Sequence, residues 1–143
     1  QSGQYRTLRC NFANGHMVGH TGNSYAATLA VEAVDLSLAR VLQAVDAAGG
    51  VALITADHGN ADEMFELDKK TRQPALNKDG SFKAKTAHTL NPVPLILYDN
   101  VSGGKLGLKQ TETAGLSNIA ATVANLLGLE KHAAWDESVL DIK

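Results

Sequence analysis

Val51-Ala52-Leu53-Ile54-Thr55-Ala56-Asp57-His58-Gly59-Asn60 is a short apolar run that ends in a carboxylate, an imidazole and a glycine. An apolar run of this length after a helical stretch suits a strand, Val51 to Thr55, buried on both faces of a parallel sheet. Asp57-His58-Gly59-Asn60 then falls just past its carboxyl end, where open α/β sheets collect their reactive groups.

Upstream, Val31, Val34, Leu38, Val41 and Val45 recur at spacings of three and four. They predict a helix from about Ser24 to Ala48, stopped by Gly49-Gly50. Before it, Tyr5 to Phe12 is rich in strand formers, and Asn14-Gly15 and Gly19 break regular structure, leaving a polar loop through Gly22. Downstream, Met64 to Thr86 is a long polar excursion with a hairpin turn at Lys78-Asp79-Gly80-Ser81, a pattern expected of a surface flap. Val93 to Tyr98 reads as a further strand, with Pro92 and Pro94 at its beginning. A last helix spans about Ser117 to Leu127, with Ser117 as N-cap, Gly128 as stop, and Ile119, Ala120, Val123, Leu126 and Leu127 as its apolar face. No internal repeat or low-complexity segment interrupts this order, which indicates an α/β layered fold.

The chain has 143 residues, 44% of them hydrophobic, which suits one domain with an ordinary core. A formal net charge of -2 without a basic patch argues against nucleic acid or a membrane surface as partner. The lysines between 69 and 85 are interspersed with Asp, Thr and Gly and read as a solvated loop. The single cysteine, Cys10, excludes an internal disulfide and is expected to serve as a small buried hydrophobe. With no charged-then-apolar leader and no apolar run near ~18 residues, a cytoplasmic location is the expectation. Gln1-Ser2-Gly3-Gln4 lacks an initiator Met and leads at once into strand-like sequence, so the chain reads as the interior of a longer protein.

Four of the five histidines, His16, His20, His58 and His88, fall in loops that border predicted strands. Gly15-His16-Met17-Val18-Gly19-His20 and Asp57-His58 are positioned to converge, and His88, in Thr86-Ala87-His88-Thr89, arrives from the flap. Imidazoles with one carboxylate suit Mn, Zn, Fe or Co. Adjacent Asp57 and His58 could each serve one edge of a two-metal site with ions roughly 3.5–4 Å apart. His132, beside Lys131, reads as ordinary surface. Asp62-Glu63 is explained equally well by a charged face opening the flap and is left out of the site. None of the seven serines lies in a Gly-x-Ser-x-Gly elbow, so no nucleophile is identifiable. The arginines, Arg6, Arg9, Arg40 and Arg72, are too few and scattered for a bidentate clamp on a phosphorylated, carboxylated substrate.

Three motifs in order, Asn11-Phe-Ala-Asn-Gly-His-Met-Val-Gly-His-Thr-Gly22, Thr55-Ala-Asp-His-Gly-Asn-Ala-Asp62 and Ala87-His-Thr-Leu-Asn-Pro-Val-Pro94, resemble cofactor-independent phosphoglycerate mutase. Gly115-Leu-Ser-Asn-Ile-Ala-Ala-Thr122 with Asn125-Leu-Leu-Gly128 looks like that family's closing helix, so the resemblance covers nearly the whole chain. It implies a layered αβα, alkaline-phosphatase-like fold, of which residues 1–143 are the C-terminal part of the metal-binding domain. It also implies interconversion of 3-phosphoglycerate and 2-phosphoglycerate through a phosphoserine, with two Mn2+ ions, or Zn2+ or Co2+ as alternatives. By resemblance, His20 and His88 bind one ion together with the residue at position 16, while Asp57 and His58 bind the other.

Two departures follow from the same resemblance. The family's usual residue at position 16 is Asp, and His16 exchanges an anionic oxygen for a neutral nitrogen, which favours a Zn-like ion over Mn. Unchanged metal affinity in a His16→Ala variant would show that His16 faces no ion. The nucleophilic serine, a second-site carboxylate, the substrate-binding arginines and the second domain are expected upstream. The segment alone is therefore expected to be inactive and prone to self-association. Two alternatives stay open: a metal-dependent phosphate ester hydrolase of the same fold, and a non-catalytic metal-binding or interaction module. The Asn14-to-Gly22 motif favours the mutase over the hydrolase.

Overall fold

The computed structural model describes residues 2–110 and 113–143. Its elements run α1 (Asn14–Gly19), α2 (Ser24–Ala47), β1 (Val51–Thr55), β2 (Leu95–Asp99), β3 (Leu106–Leu108), a 3-10 turn (Leu116–Asn118), α3 (Ile119–Leu126) and β4 (Leu140–Ile142). They fall into two compact units, one of residues up to Val41 with His58–Val93, the other of Leu42–Asp57 with Pro94–Lys143. No helix among the described residues is long and apolar enough to cross a membrane.

In the first unit, α2 begins where the Asn23 side chain accepts a hydrogen bond from the Ala26 amide at 3.0 Å, capping an orphan donor of the first turn. Ala27 and Ala30 are its buried residues, and Val31, expected on the core face, is exposed. The polar loop expected before it contains α1 instead: Met17 donates to the Ala13 carbonyl at 2.9 Å despite the flanking glycines. Tyr5 to Phe12 forms no strand, because its backbone finds no ladder partner among the described residues. Cys10 stands exposed rather than buried. The flap is a polar ribbon with bridges Phe65 to Ala84, Leu67 to Pro74 and Leu76 to Phe82. Its tip turns as expected, with the Asn77 amide and Ser81 carbonyl closing it at 2.8 Å and Gly80 at a φ of 83°. At its neck, Gly59 bridges Thr89.

In the second unit, β1 and β2 occur within two residues of the expected strands. They pair antiparallel, Val51 opposite Asp99 and Thr55 opposite Leu95, and are half-buried rather than sealed on both faces of a parallel sheet. Tyr98 and Asn100 donate to the Asp46 carboxylate at 2.7 and 3.0 Å. The short strands β3 and β4, not foreseen, pair antiparallel with Leu106 opposite Ile142. The last helix is as expected in extent, but Ser117 makes no capping bond; α3 is preceded by Asn118, whose side chain accepts from the Gly115 amide at 2.7 Å. Its most buried residues are Ala121, Thr122 and Ala124, while Ala120 is exposed, so the inward face is rotated from the expected one. Thr122 closes this core: its hydroxyl donates to the Asn118 carbonyl at 2.8 Å and accepts from the Val139 amide at 3.1 Å.

Candidate metal centre

The first unit brings His16, His20, His58 and His88 together. His16 lies on α1 and His20 at its C-terminal end, one turn on, which puts both rings on one side of the helix. His58 opens the segment beyond β1, and His88 sits one residue before the neck bridge. The rings form a closed circuit: His16 to His20 at 4.6 Å between centroids, His20 to His88 at 5.1 Å, His88 stacked on His58 at 3.6 Å, and His58 to His16 at 4.9 Å. One nitrogen from each of His16, His58 and His88 lies within 4.8 Å of the others. His16 and His58 are half-buried, while His20 and His88 are exposed.

The hydrogen bonds fix two of the tautomers. His20 Nδ1 is 2.6 Å from the Thr86 carbonyl and His58 Nδ1 is 3.2 Å from the Gly59 carbonyl. A carbonyl only accepts, so each Nδ1 carries a proton, and a neutral ring then turns its Nε2 lone pair toward its neighbours. His20 Nε2 faces His16 Nε2 at 3.3 Å and His88 Nε2 at 3.2 Å, and His58 Nε2 faces His16 Nδ1 at 3.0 Å. A neutral His16 can donate through one nitrogen only, so its other lone pair meets a neighbour's lone pair. A cation between the rings relieves that repulsion, and backbone carbonyls orienting the imidazoles are the usual support of metal-ligating histidine. The donor set therefore fits a metal ion.

Asn60 and two glycines hold this arrangement. Asn60 is buried, and its amide donates to the Thr86 and Ala87 carbonyls at 3.4 and 3.5 Å, on the segment that carries His88. Its Oδ1 has no hydrogen-bond partner among the described residues and lies where a Cβ on residue 19 would stand, so Gly19 is required there. A Cβ on Gly59 would overlap Thr89 Oγ1 and crowd the Asp62 carboxylate. Asp62 accepts from Thr89 at 2.9 Å and from Asn91 at 2.6 Å. Burial pushes the Asp62 carboxyl up, but the bonds from Asn91, Thr89 and backbone amides together outweigh it and hold it below the ordinary Asp range. Hydrogen bonding to Lys85, opposed by a smaller burial effect, likewise lowers Glu63.

Of the residues singled out from sequence, four histidines meet here. Asp57 is an exposed residue of the second unit and falls outside the close nitrogen group. His132 is exposed surface, as expected. Asn60, Thr86, Thr89 and Asn91 were not singled out. All four lie within quoted stretches, but contacts to backbone carbonyls leave no signature in residue type.

The model of the Metalloenzyme superfamily matches residues 1–131. The chain belongs to this superfamily. The chain is 41% identical over 142 residues, 99% of its length, to the probable 2,3-bisphosphoglycerate-independent phosphoglycerate mutase 2 of Arabidopsis thaliana. It is also 41% identical over 143 residues to the 2,3-bisphosphoglycerate-independent phosphoglycerate mutase of Trypanosoma brucei brucei. Among solved structures, crystal structures of Leishmania mexicana phosphoglycerate mutase at low cobalt concentration match 99% of the chain with a TM-score of 0.91 and 42% identity. The motif resemblance and the alkaline-phosphatase-like α/β fold are borne out. The chain spans about a quarter of the length of these relatives, 25% and 26% of the two mutases and 26% of the solved chain.

Proposed function

We propose that this chain is the C-terminal part of the metal-binding domain of a 2,3-bisphosphoglycerate-independent phosphoglycerate mutase, which interconverts 3-phosphoglycerate and 2-phosphoglycerate through a phosphoserine. The observation that carries the reading is the gathering of imidazoles from three separated mutase-like motifs, with His20 and His88, 68 positions apart, facing each other at 3.2 Å. In this reading His16, His20, His58, His88 and Asp57 are metal ligands, and the complete enzyme holds two ions, Mn2+, with Zn2+ or Co2+ as alternatives. Bound there, the ions supply Lewis-acid stabilisation of charge on a transferring phosphoryl group.

The chain's own residues hold and aim the donors. Thr86 fixes the ring of His20, Gly59 that of His58, and Asn60 grips the successive Thr86 and Ala87 carbonyls. The nucleophilic serine, the substrate-binding arginines and the second domain belong to the remainder of the longer protein. Tyr25, Leu29 and Leu36 stand exposed on α2, which supports cover by that remainder and self-association in its absence.

The test is isomerisation of 3-phosphoglycerate by the complete protein without added 2,3-bisphosphoglycerate, with His88→Ala as control. Turnover that falls at least about a hundredfold in the variant is expected, and the 143-residue chain alone should be inactive. Release of free phosphate with no 2-phosphoglycerate would overturn the mutase reading in favour of a hydrolase.

A further inference from the structure

We infer that Asn60 is a positioning residue, one neutral side chain that sets the spacing of His20 and His88 from the loop that carries His58. This rests on the reading of the histidines as metal ligands and adds what aligns their three chain segments with one another.

Asn60 reaches all three segments. It lies two residues after His58; its Nδ2 donates to the carbonyls of Thr86 and of Ala87, the residue before His88; and its Oδ1 abuts Gly19, the residue before His20. The Thr86 carbonyl also accepts from His20 Nδ1 at 2.6 Å. A carbonyl oxygen has two lone pairs, so this single acceptor ties the His20 ring to Asn60. The same loop holds the far side of His88, because the Thr89 amide donates to the Gly59 carbonyl at 2.8 Å.

Packing alone does not call for an amide at this position. Asn60 is 6% exposed, and its Oδ1 is the one buried side-chain polar atom without a hydrogen-bond partner among the described residues. An apolar side chain of similar size would avoid that cost. Turning the amide over would set its oxygen against two carbonyl oxygens, so the donors face the His88 segment and the orphan oxygen faces α1. Gly19 is the counterpart. It lies within α1 without a positive φ, where alanine would favour the helix, yet a Cβ there would collide with Asn60 Oδ1. The glycine and the asparagine are a matched pair.

The test compares Asn60→Ala, Gly19→Ala and the double variant with the unaltered 143-residue chain. Co2+ affinity is measured by calorimetric titration and stability by denaturant unfolding. In the metal-free chain at about pH 8, where histidine is neutral, long-range proton–nitrogen NMR reads the His20 tautomer. Asn60→Ala should lower Co2+ affinity by at least about tenfold and turn a single Nδ1–H tautomer of His20 into a mixture. Gly19→Ala should unfold at lower denaturant. In the double variant the methyl fills the space left by the amide, so the midpoint should recover while Co2+ affinity stays low. Unchanged Co2+ affinity in Asn60→Ala overturns the inference and leaves the metal reading standing. An affinity that recovers together with stability in the double variant does the same, since Asn60 then only packs. If the unaltered chain binds no Co2+, the metal reading fails and the His20 tautomer in Asn60→Ala decides the positioning alone: a mixture upholds it, an unchanged ring overturns it. Should Asn60→Ala fail to fold by circular dichroism, the double variant takes its place in each comparison.

Discussion

The two units reach order by different means. In the second, regular elements do the work: β1 pairs with β2, β3 with β4, and Ala121, Ala124, Val139 and Leu140 are buried around Thr122. In the first, the buried apolar side chains are Ala27, Ala30 and Met64, and the segments that carry histidines are tied by single bonds to carbonyls and by glycines that admit close neighbours. The difference teaches where each unit is vulnerable. One depends on hydrogen bonds that complete a packed core, the other on how nearly two backbones can approach.

The sharpest way to break the contrast is Gly59→Ala. The added methyl meets Thr89 and Asp62 at the flap neck, and the residue's carbonyl orients His58. A loss of about 3 kcal/mol in denaturant unfolding is expected, together with weakened metal binding. Full stability with an unaltered metal titration would mean that the neck yields, and that approach distance is not what orders this unit.

Thr122→Val is the counterpart in the second unit. It removes a hydroxyl that both donates and accepts in a site with 0% exposure, leaving the Val139 amide without that partner. A loss of about 1–2 kcal/mol is expected, with metal affinity unchanged. A fall in metal affinity would show that the two units do not respond separately.

The smallest effect is expected from Asp62→Ala, and it depends on pH. The folded-state pKa of Asp62 is lowered, so its contribution is present above the unfolded value of about 3.9 and is lost as pH falls through the folded value. Stability of the variant and the unaltered chain should differ near neutrality and converge in acid. A gap that widens in acid would reverse the sign and exclude the Thr89 and Asn91 bonds as its source.

Much of the second unit was legible because its elements carry local patterns: the apolar Val51–Thr55 run, the prolines before Leu95, and the glycine after α3. The antiparallel register and the three-residue strands β3 and β4 were not, since pairing depends on residues far apart and a run as short as Leu106–Leu108 has no periodicity to read. Tyr5 to Phe12 failed for a related reason: strand-forming composition does not reveal whether a partner is there. In the first unit, His16, His20 and His58 stood out because a glycine flanks each, and His88 because it lies where the flap returns. Their convergence, the tautomers set by Thr86 and Gly59, and the grip of Asn60 arise from tertiary contacts to main-chain atoms, which any residue type offers.

The bridge between Gly59 and Thr89 also bears on how this molecule can change over time. Because the flap is pinned at its base, residues added or removed near Lys78–Ser81 alter only the closure entropy of a polymer loop. Doubling the length of such a loop costs about 0.6 kcal/mol. The flap tip can therefore drift in length and composition across descendants of this sequence while the histidines at its root keep their places.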